Sequence, residues 1–242
     1  MSNVFISKYV RVIVSRTGMI QNIWELKGYA IYRQIRRAQA VMNTLKFHNP
    51  KIILDVGCAE GFITSLLVSR QAFVVGIDVN EEALKIAKVK VKDAEFICAS
   101  IALLPFRDRC FEAITLLEVL EHLPDSILRE GIKEVDRVLN YGGVLVVSVP
   151  YREKIIYTQC IHCGKLTPLW GHLRSMDERD VTDLLPRNYN LTLKYTLPNL
   201  ELISLSSLFN KLPFKLWLVL NNILGRVHKG YWLLLKYRKG TV

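Results

Sequence analysis

The 242-residue sequence predicts an α/β fold, a doubly wound and mostly parallel seven-stranded sheet, on three observations. From Lys51 onward, short β-branched runs alternate with stretches of helical period, a beat that implies right-handed crossovers and a sheet covered on both faces. Seven such runs can be counted, and half of all residues are hydrophobic, enough for one large core. A glycine-bearing turn follows the first run, and an acidic residue closes each of the first two, which places a ligand site at the carboxyl ends of the strands.

Residues 1–50 are expected to form an N-terminal helical segment packed on the core. Within it, "AIYRQIRRAQAVMNTL" has apolar positions at helical spacing and Pro50 closes the stretch. Residues 51–242 then form the main domain. Its strands are "KIILDV", "AFVVGI", "AEFICA", "EAITLL" and "GGVLVVSV", with "EEALKIAKVKV" and "SILREGIKEVDRVL" as intervening helices. Two insertions are expected after strands 5 and 6, at about 151–176 and 198–229, the first a loop of a length that usually has a purpose. A helix "DERDVTDLL" and the strand "LTLKYTL" separate them, and "YWLLLKY" ends the fold.

The 33 lysines and arginines against 22 acidic residues give a net charge of +11, which fits nucleic acid or an anionic membrane surface, or a dispersed solvated exterior. Five cysteines, without a paired framework, suit a reduced, cytoplasmic setting. The opening "MSNVFISKYVRVIVSRTGM" is interrupted by basic residues, so it is not expected to act as a secretory signal. No run approaches the roughly 20 apolar residues of a spanning helix.

The turn "ILDVGCAEGF" carries the chemistry. Gly57 and Gly61 let backbone N–H groups approach a ligand, and the helix that follows presents its N-terminal dipole. Asp55 stands before the first glycine, where it would repel a pyrophosphate but accept hydrogen bonds from a cationic amino acid group. Asp78, in "VVGIDVN", lies about 20 positions beyond the glycines, as in adenosine-binding sites, and suits the two ribose hydroxyls. Ribose at one carboxylate and a charged amino acid at the other describe S-adenosylmethionine. The three-glycine G-x-G-x-x-G spacing of nucleotide oxidoreductases is absent.

From about Ile52 to Pro150 the sequence resembles the class I S-adenosylmethionine-dependent methyltransferases, of the kind found in ubiquinone synthesis. The resemblance runs through "LDVGCAEG", "GIDVN", "ASIALLPFRDRCFEAITLLEVLEHL" and "VLNYGGVLVVSVP" in order. It implies a Rossmann-like fold and a cofactor site in which Asp55, Gly57, Ala59 and Gly61 surround the methionine part, Asp78 and Val79 the ribose, and Ser100 with Ile101 the adenine edge. Family members commonly carry aspartate where this chain has Ser100, whose hydroxyl is a weaker partner for an adenine amino group.

In "LEVLEHL", Glu118, Glu121 and His122 stand at i, i+3 and i+4, so a helical turn would project all three from one face. Just past the fourth strand, Glu118 and His122 are the candidate catalytic groups, His122 as base because its pKa lies near neutrality. Glu-x-x-Glu-His also resembles the metal-binding element of ubiquinone-pathway O-methyltransferases and of small-RNA 2′-O-methyltransferases, in which a later histidine completes the set. Here that residue would be His172, and Glu118, Glu121, His122 and His172 would hold Mg²⁺ or Mn²⁺. Cys160 and Cys163, in "CIHCGK", have the spacing of half a zinc site.

The expected acceptor is the hydroxyl of a small molecule or lipid-like intermediate, with the leucine-rich insertion at 198–229 acting as a lid, a membrane-surface contact or core packing. RNA is the alternative substrate, suggested by the net charge and by "RQIRRAQ" beside Tyr29 and Tyr32. A non-catalytic, cofactor-binding partner subunit is the third reading.

Overall fold

A computed structural model describes residues 29–46, 48–68, 71–198, 212–224 and 230–241. The first helix, α1, spans Tyr29–Leu45. Strands and helices then alternate as β1 (Ile52–Val56), α2 (Phe62–Val68), β2 (Phe73–Asp78), α3 (Glu81–Lys90), β3 (Glu95–Cys98), β4 (Phe111–Leu117), α4 (Asp125–Val138) and β5 (Leu139–Pro150). The chain continues through β6 (Tyr157–Gln159), β7 (Leu166–Pro168), α5 (Glu178–Leu184), β8 (Tyr189–Pro198), α6 (Phe214–Leu224) and β9 (Gly230–Lys239).

Seven of these strands form one sheet in the order β3-β2-β1-β4-β5-β9-β8. The first five are mutually parallel, while β9 runs antiparallel to both neighbours. The order reverses direction at β1, so the crevice at the carboxyl ends of β1 and β4 is the switch point where ligands bind. Alternate residues of each strand serve opposite faces. Leu54, Ile114, Leu116, Leu145 and Val147 pack with Leu128, Ile132 and Val135 of α4. Ile53, Ala113, Val144 and Val146 pack with Ala38, Val41 and Leu45 of α1 and with Leu67 of α2. Each large side chain so buried contributes about 1.5–3 kcal/mol, so both layers are anchored through the sheet.

Helix starts follow their caps. Asn80 accepts the Ala83 N–H at 3.2 Å ahead of α3, and Asp177 and Asp180 form a reciprocal capping box at α5. The first insertion differs from the expected loop in one respect: β6 and β7 pair antiparallel as a small separate hairpin. Three-residue strands with fully or largely exposed side chains give no alternating pattern for sequence reading to detect. In the second insertion, α6 turns Trp217 into the core against Phe214. Leu216, Val219 and Ile223 of the same helix face outward. The rest of that insertion, residues 199–211 and 225–229, lies outside the described residues, as do residues 1–28. Among the described residues no helix is long and apolar enough to cross a membrane.

Candidate active site

The glycine turn after β1 is held by backbone bonds from Gly57 and Cys58 to the Ile77 carbonyl, at 2.8 and 3.0 Å. Gly57 has φ +71°, and a Cβ there would lie 2.5 Å from the Val119 side chain, so the turn and the "LEVLEHL" stretch meet only because the residue is glycine. Gly61 has φ +79°, and a Cβ there would meet Ala87, Phe96 and Val91 at 3.1–3.3 Å. Ala59 is exposed with φ +45°. Its N–H donates to Asp78 Oδ2 at 2.9 Å, and the Asn80 N–H donates to Oδ1 at 2.8 Å. The Asp78 carboxylate therefore fixes the turn while remaining partly open to a ligand.

Asp55 sits differently from a direct ligand contact. It is 2% exposed, and its oxygens accept the hydroxyls of Thr64 and Thr115, each at 2.7 Å. Burial pushes its carboxyl above the ordinary value, opposed by those two hydrogen bonds. Its position, level with Thr115 on β4 and Gly76 on β2, makes it a strut beneath the turn. Val79 is exposed beside Asp78. Ser100 uses its hydroxyl to accept the Ala102 N–H at 3.2 Å. The Ile101 side chain is buried against Gly131, so at the adenine edge Ile101 has its backbone to offer rather than its side chain.

A group invisible in the sequence holds that edge. Arg137 on α4 donates to the carbonyls of Phe106 and Leu104 at 2.7 and 3.1 Å, and pairs with Asp108 and Glu134. Glu134 accepts the Leu104 N–H at 2.8 Å. Replacing Arg137 with alanine is expected to lower stability by about 2 kcal/mol, chiefly through the orphaned carbonyls rather than the partly exposed ion pairs. Thermal unfolding checks this. Arg137 also holds the Glu134 carboxyl below its ordinary value. A depressed folded-state pKa contributes stability above the unfolded value and loses it as pH falls through the folded one. Parent protein should therefore lose this contribution in acid, and the Arg137→Ala variant should lose only the smaller part that the Leu104 N–H supplies.

The "LEVLEHL" stretch departs from a regular helical turn. Glu118 has φ +59°, and a short 3₁₀ helix covers Leu120–His122. The three side chains consequently do not share one face. Glu118 accepts the Ser148 hydroxyl at 2.7 Å and lies 4.0 Å from Arg37. Glu121 instead joins His122 and His172, with one ligand atom from each within 4.8 Å of the others. The structure thus unites three of the four expected metal ligands and directs Glu118 toward Ser148 and Arg37.

Glu121 is 1% exposed, and neither carboxylate oxygen has a hydrogen-bond partner. Loss of water, then the nearby Glu118, pushes its pKa up to about 8. His122 Nδ1 lies 3.2 Å from the Gly171 carbonyl; a carbonyl can only accept, so Nδ1 carries the proton and Nε2 keeps its lone pair. Lost solvent lowers the pKa of this imidazole. His172 Nδ1 is bonded to Glu153, a carboxylate–histidine pairing that orients metal-binding imidazoles. The two rings are 4.7 Å apart and nearly perpendicular.

His172 reaches this point because the first insertion folds back on the 3₁₀ turn. Leu173 N–H donates to the Glu121 carbonyl at 2.7 Å, and Arg174 donates to the carbonyls of Leu120 and Leu123 at 2.8 and 2.5 Å. Glu153 and Arg174 escape sequence reasoning, since neither belongs to a spaced motif. Cys160 and Cys163 lie at the hairpin turn, away from this cluster's three residues. The basic stretch on α1 is also partly spent: Arg36 donates to the Leu212 carbonyl at 2.7 Å and lies over Trp217, and Arg37 lies over Trp232.

A family model described as a methyltransferase domain matches residues 54–147. A Mycolicibacterium smegmatis protein described as a "probable S-adenosylmethionine-dependent methyltransferase" is 26% identical over 166 residues, 68% of this chain and 58% of its own. A ubiquinone biosynthesis O-methyltransferase of Nitrosomonas europaea is 31% identical over 116 residues, 46% of this chain and 48% of its own. This chain thus spans about half the length of such relatives. The N-methyltransferase NodS of Bradyrhizobium japonicum, solved with S-adenosylhomocysteine, superposes with TM-score 0.59 at 19% identity, over 87% of this chain and 88% of its own. Residues 54–147 thus form a methyltransferase domain, and in strand order and sequence the chain is similar to class I S-adenosylmethionine-dependent methyltransferases.

Proposed function

We propose that the chain transfers a methyl group from S-adenosylmethionine to a hydroxyl of a small or lipid-like molecule, with a divalent ion held by Glu121, His122 and His172. One observation carries the reading: a carboxylate with both oxygens buried and unpartnered stands beside two imidazoles at the end of β4. A buried carboxylate without partners is costly, and a cation is the partner that removes the cost. Two imidazoles and a carboxylate suit Mn²⁺ or Zn²⁺, with Mg²⁺ less favoured by nitrogen ligands. When bound, such an ion lowers the pKa of a substrate hydroxyl and orients it.

The remaining work falls to the chain. Displacement at a sulfonium needs sulfur, methyl carbon and acceptor in line, so alignment is the main contribution, worth several kcal/mol. Asp78 and the glycine turn set the cofactor's position. Glu118, steadied by Ser148 and Arg37, borders the acceptor side. The bare Nε2 of His122 supports a second reading, in which that nitrogen takes the acceptor proton without an ion. Arg36 and Arg37, turned toward aromatic rings and α6, weigh against α1 as a phosphate-binding surface.

The test is transfer of labelled methyl from S-adenosylmethionine to a panel of vicinal dihydroxy aromatics, with an RNA oligonucleotide as a separate arm. Methylation of the dihydroxy compounds should disappear with chelator and return with Mn²⁺. Full activity in excess EDTA would leave His122 as base and remove the ion. Labelling confined to the RNA would replace the small-molecule acceptor.

A further inference from the structure

The β6–β7 hairpin stands apart from the sheet and carries two cysteines that the proposed reaction does not use. Its turn is closed by the Cys160 N–H on the Lys165 carbonyl and by the Gly164 N–H on the Cys160 carbonyl, both at 2.8 Å. Gly164 has φ +69°. Cys160 and Cys163 thus stand three residues apart on one tight turn between the two strands. C-x-x-C-G is a metal-knuckle spacing, and thiols bind metal as thiolates.

Two thiolates are half of a tetrahedral structural site. Among the described residues no group of three or more potential ligands includes these two sulfurs. The chain has five cysteines. Cys58 is buried beneath the glycine turn, Cys98 ends β3 at the far edge of the sheet, and Cys110 precedes β4 at the opposite end of the strands. Among the described residues, the one group of three or more potential ligands is Glu121, His122 and His172. Around the two sulfurs the hairpin is apolar and open: Ile161 is 92% exposed, and Leu166 and Tyr157 also face outward. A twofold axis through the metal would set two identical pairs of thiolates at the corners of a tetrahedron and bring these apolar side chains together.

We propose that Cys160 and Cys163 form half of a zinc site that is completed by the same pair from a second copy of the chain, so that one ion joins two hairpins. On binding, four thiols release four protons, and Zn²⁺ with four thiolates leaves a core of charge −2. Neighbouring basic residues such as Lys165 suit that charge. The assembly does not depend on the methyl acceptor or on the ion proposed beside Glu121.

Co²⁺ titration of reduced, metal-free protein tests this, read by thiolate-to-metal charge-transfer absorption, which the nitrogen- and oxygen-ligated site at Glu121 does not produce. The absorption should saturate at one ion per two chains, and the mass in sedimentation should double. Zn²⁺ should displace the colour and keep the dimer. Cys160→Ser and Cys163→Ser should each abolish both signals while leaving S-adenosylmethionine affinity unchanged. Saturation at one ion per chain on a monomer, absence of the absorption, or a dimer that persists without metal would each overturn the proposal.

Discussion

Replacing Asp78 with alanine is expected to weaken S-adenosylmethionine binding by about 100-fold, close to 3 kcal/mol. Two losses add up. The carboxylate is the acceptor for the ribose hydroxyls in the proposed pose, and hydrogen bonds to a charged group are worth about 1.5–3 kcal/mol each. It also holds the Ala59 N–H at 2.9 Å and the Asn80 N–H at 2.8 Å, so its removal releases a turn whose residue 59 already sits at φ +45°. Calorimetric titration with S-adenosylmethionine and its demethylated product measures the change. An affinity within threefold of the parent would dismiss Asp78 as the ribose partner. Asp55 is a less clean probe, because its removal would orphan the hydroxyls of Thr64 and Thr115 inside the core.

Glu121→Gln should separate stability from metal binding. In the parent, Mn²⁺ at 100 times its dissociation constant should stabilise the fold by about 2.7 kcal/mol, read as a rise in unfolding temperature. In the variant the rise should fall below about 0.5 kcal/mol, because the anionic ligand is gone. Metal-free stability should change little. Neither oxygen of Glu121 has a partner to lose, and with its pKa raised to about 8 the metal-free side chain is largely neutral near pH 7, so an amide of the same size replaces one unpaired buried polar group with another. Glu153→Gln, acting through His172, should reduce Mn²⁺ affinity about 10-fold, in the range found for residues behind a ligand. A full Mn²⁺ shift in Glu121→Gln, or none in the parent, would refute the assignment.

Much of the sheet was legible because buried parallel strands read as continuous apolar runs. "KIILDV", "AFVVGI" and "EAITLL" coincide with β1, β2 and β4 to within a residue or so. The β6–β7 hairpin was not legible, since its side chains are exposed and periodicity has nothing to report there. Ile101 shows the same limit within the site. Its place in the motif was readable, but its packing under Gly131 depends on where α4 crosses the sheet.

The order of elements, the glycine turn and the two aspartates were determined by the sequence alone, because each is a local matter of period, φ angle and spacing. Which groups meet across the crevice was decided by tertiary structure. The positive φ of Glu118 turns its carboxylate toward Ser148 and Arg37. Arg174, about 50 residues along the chain from the carbonyls it grips, brings His172 to Glu121 and His122. Helical spacing had placed Glu118, Glu121 and His122 together; a single left-handed residue was enough to part the first from the other two, because one backbone angle redirects every side chain that follows.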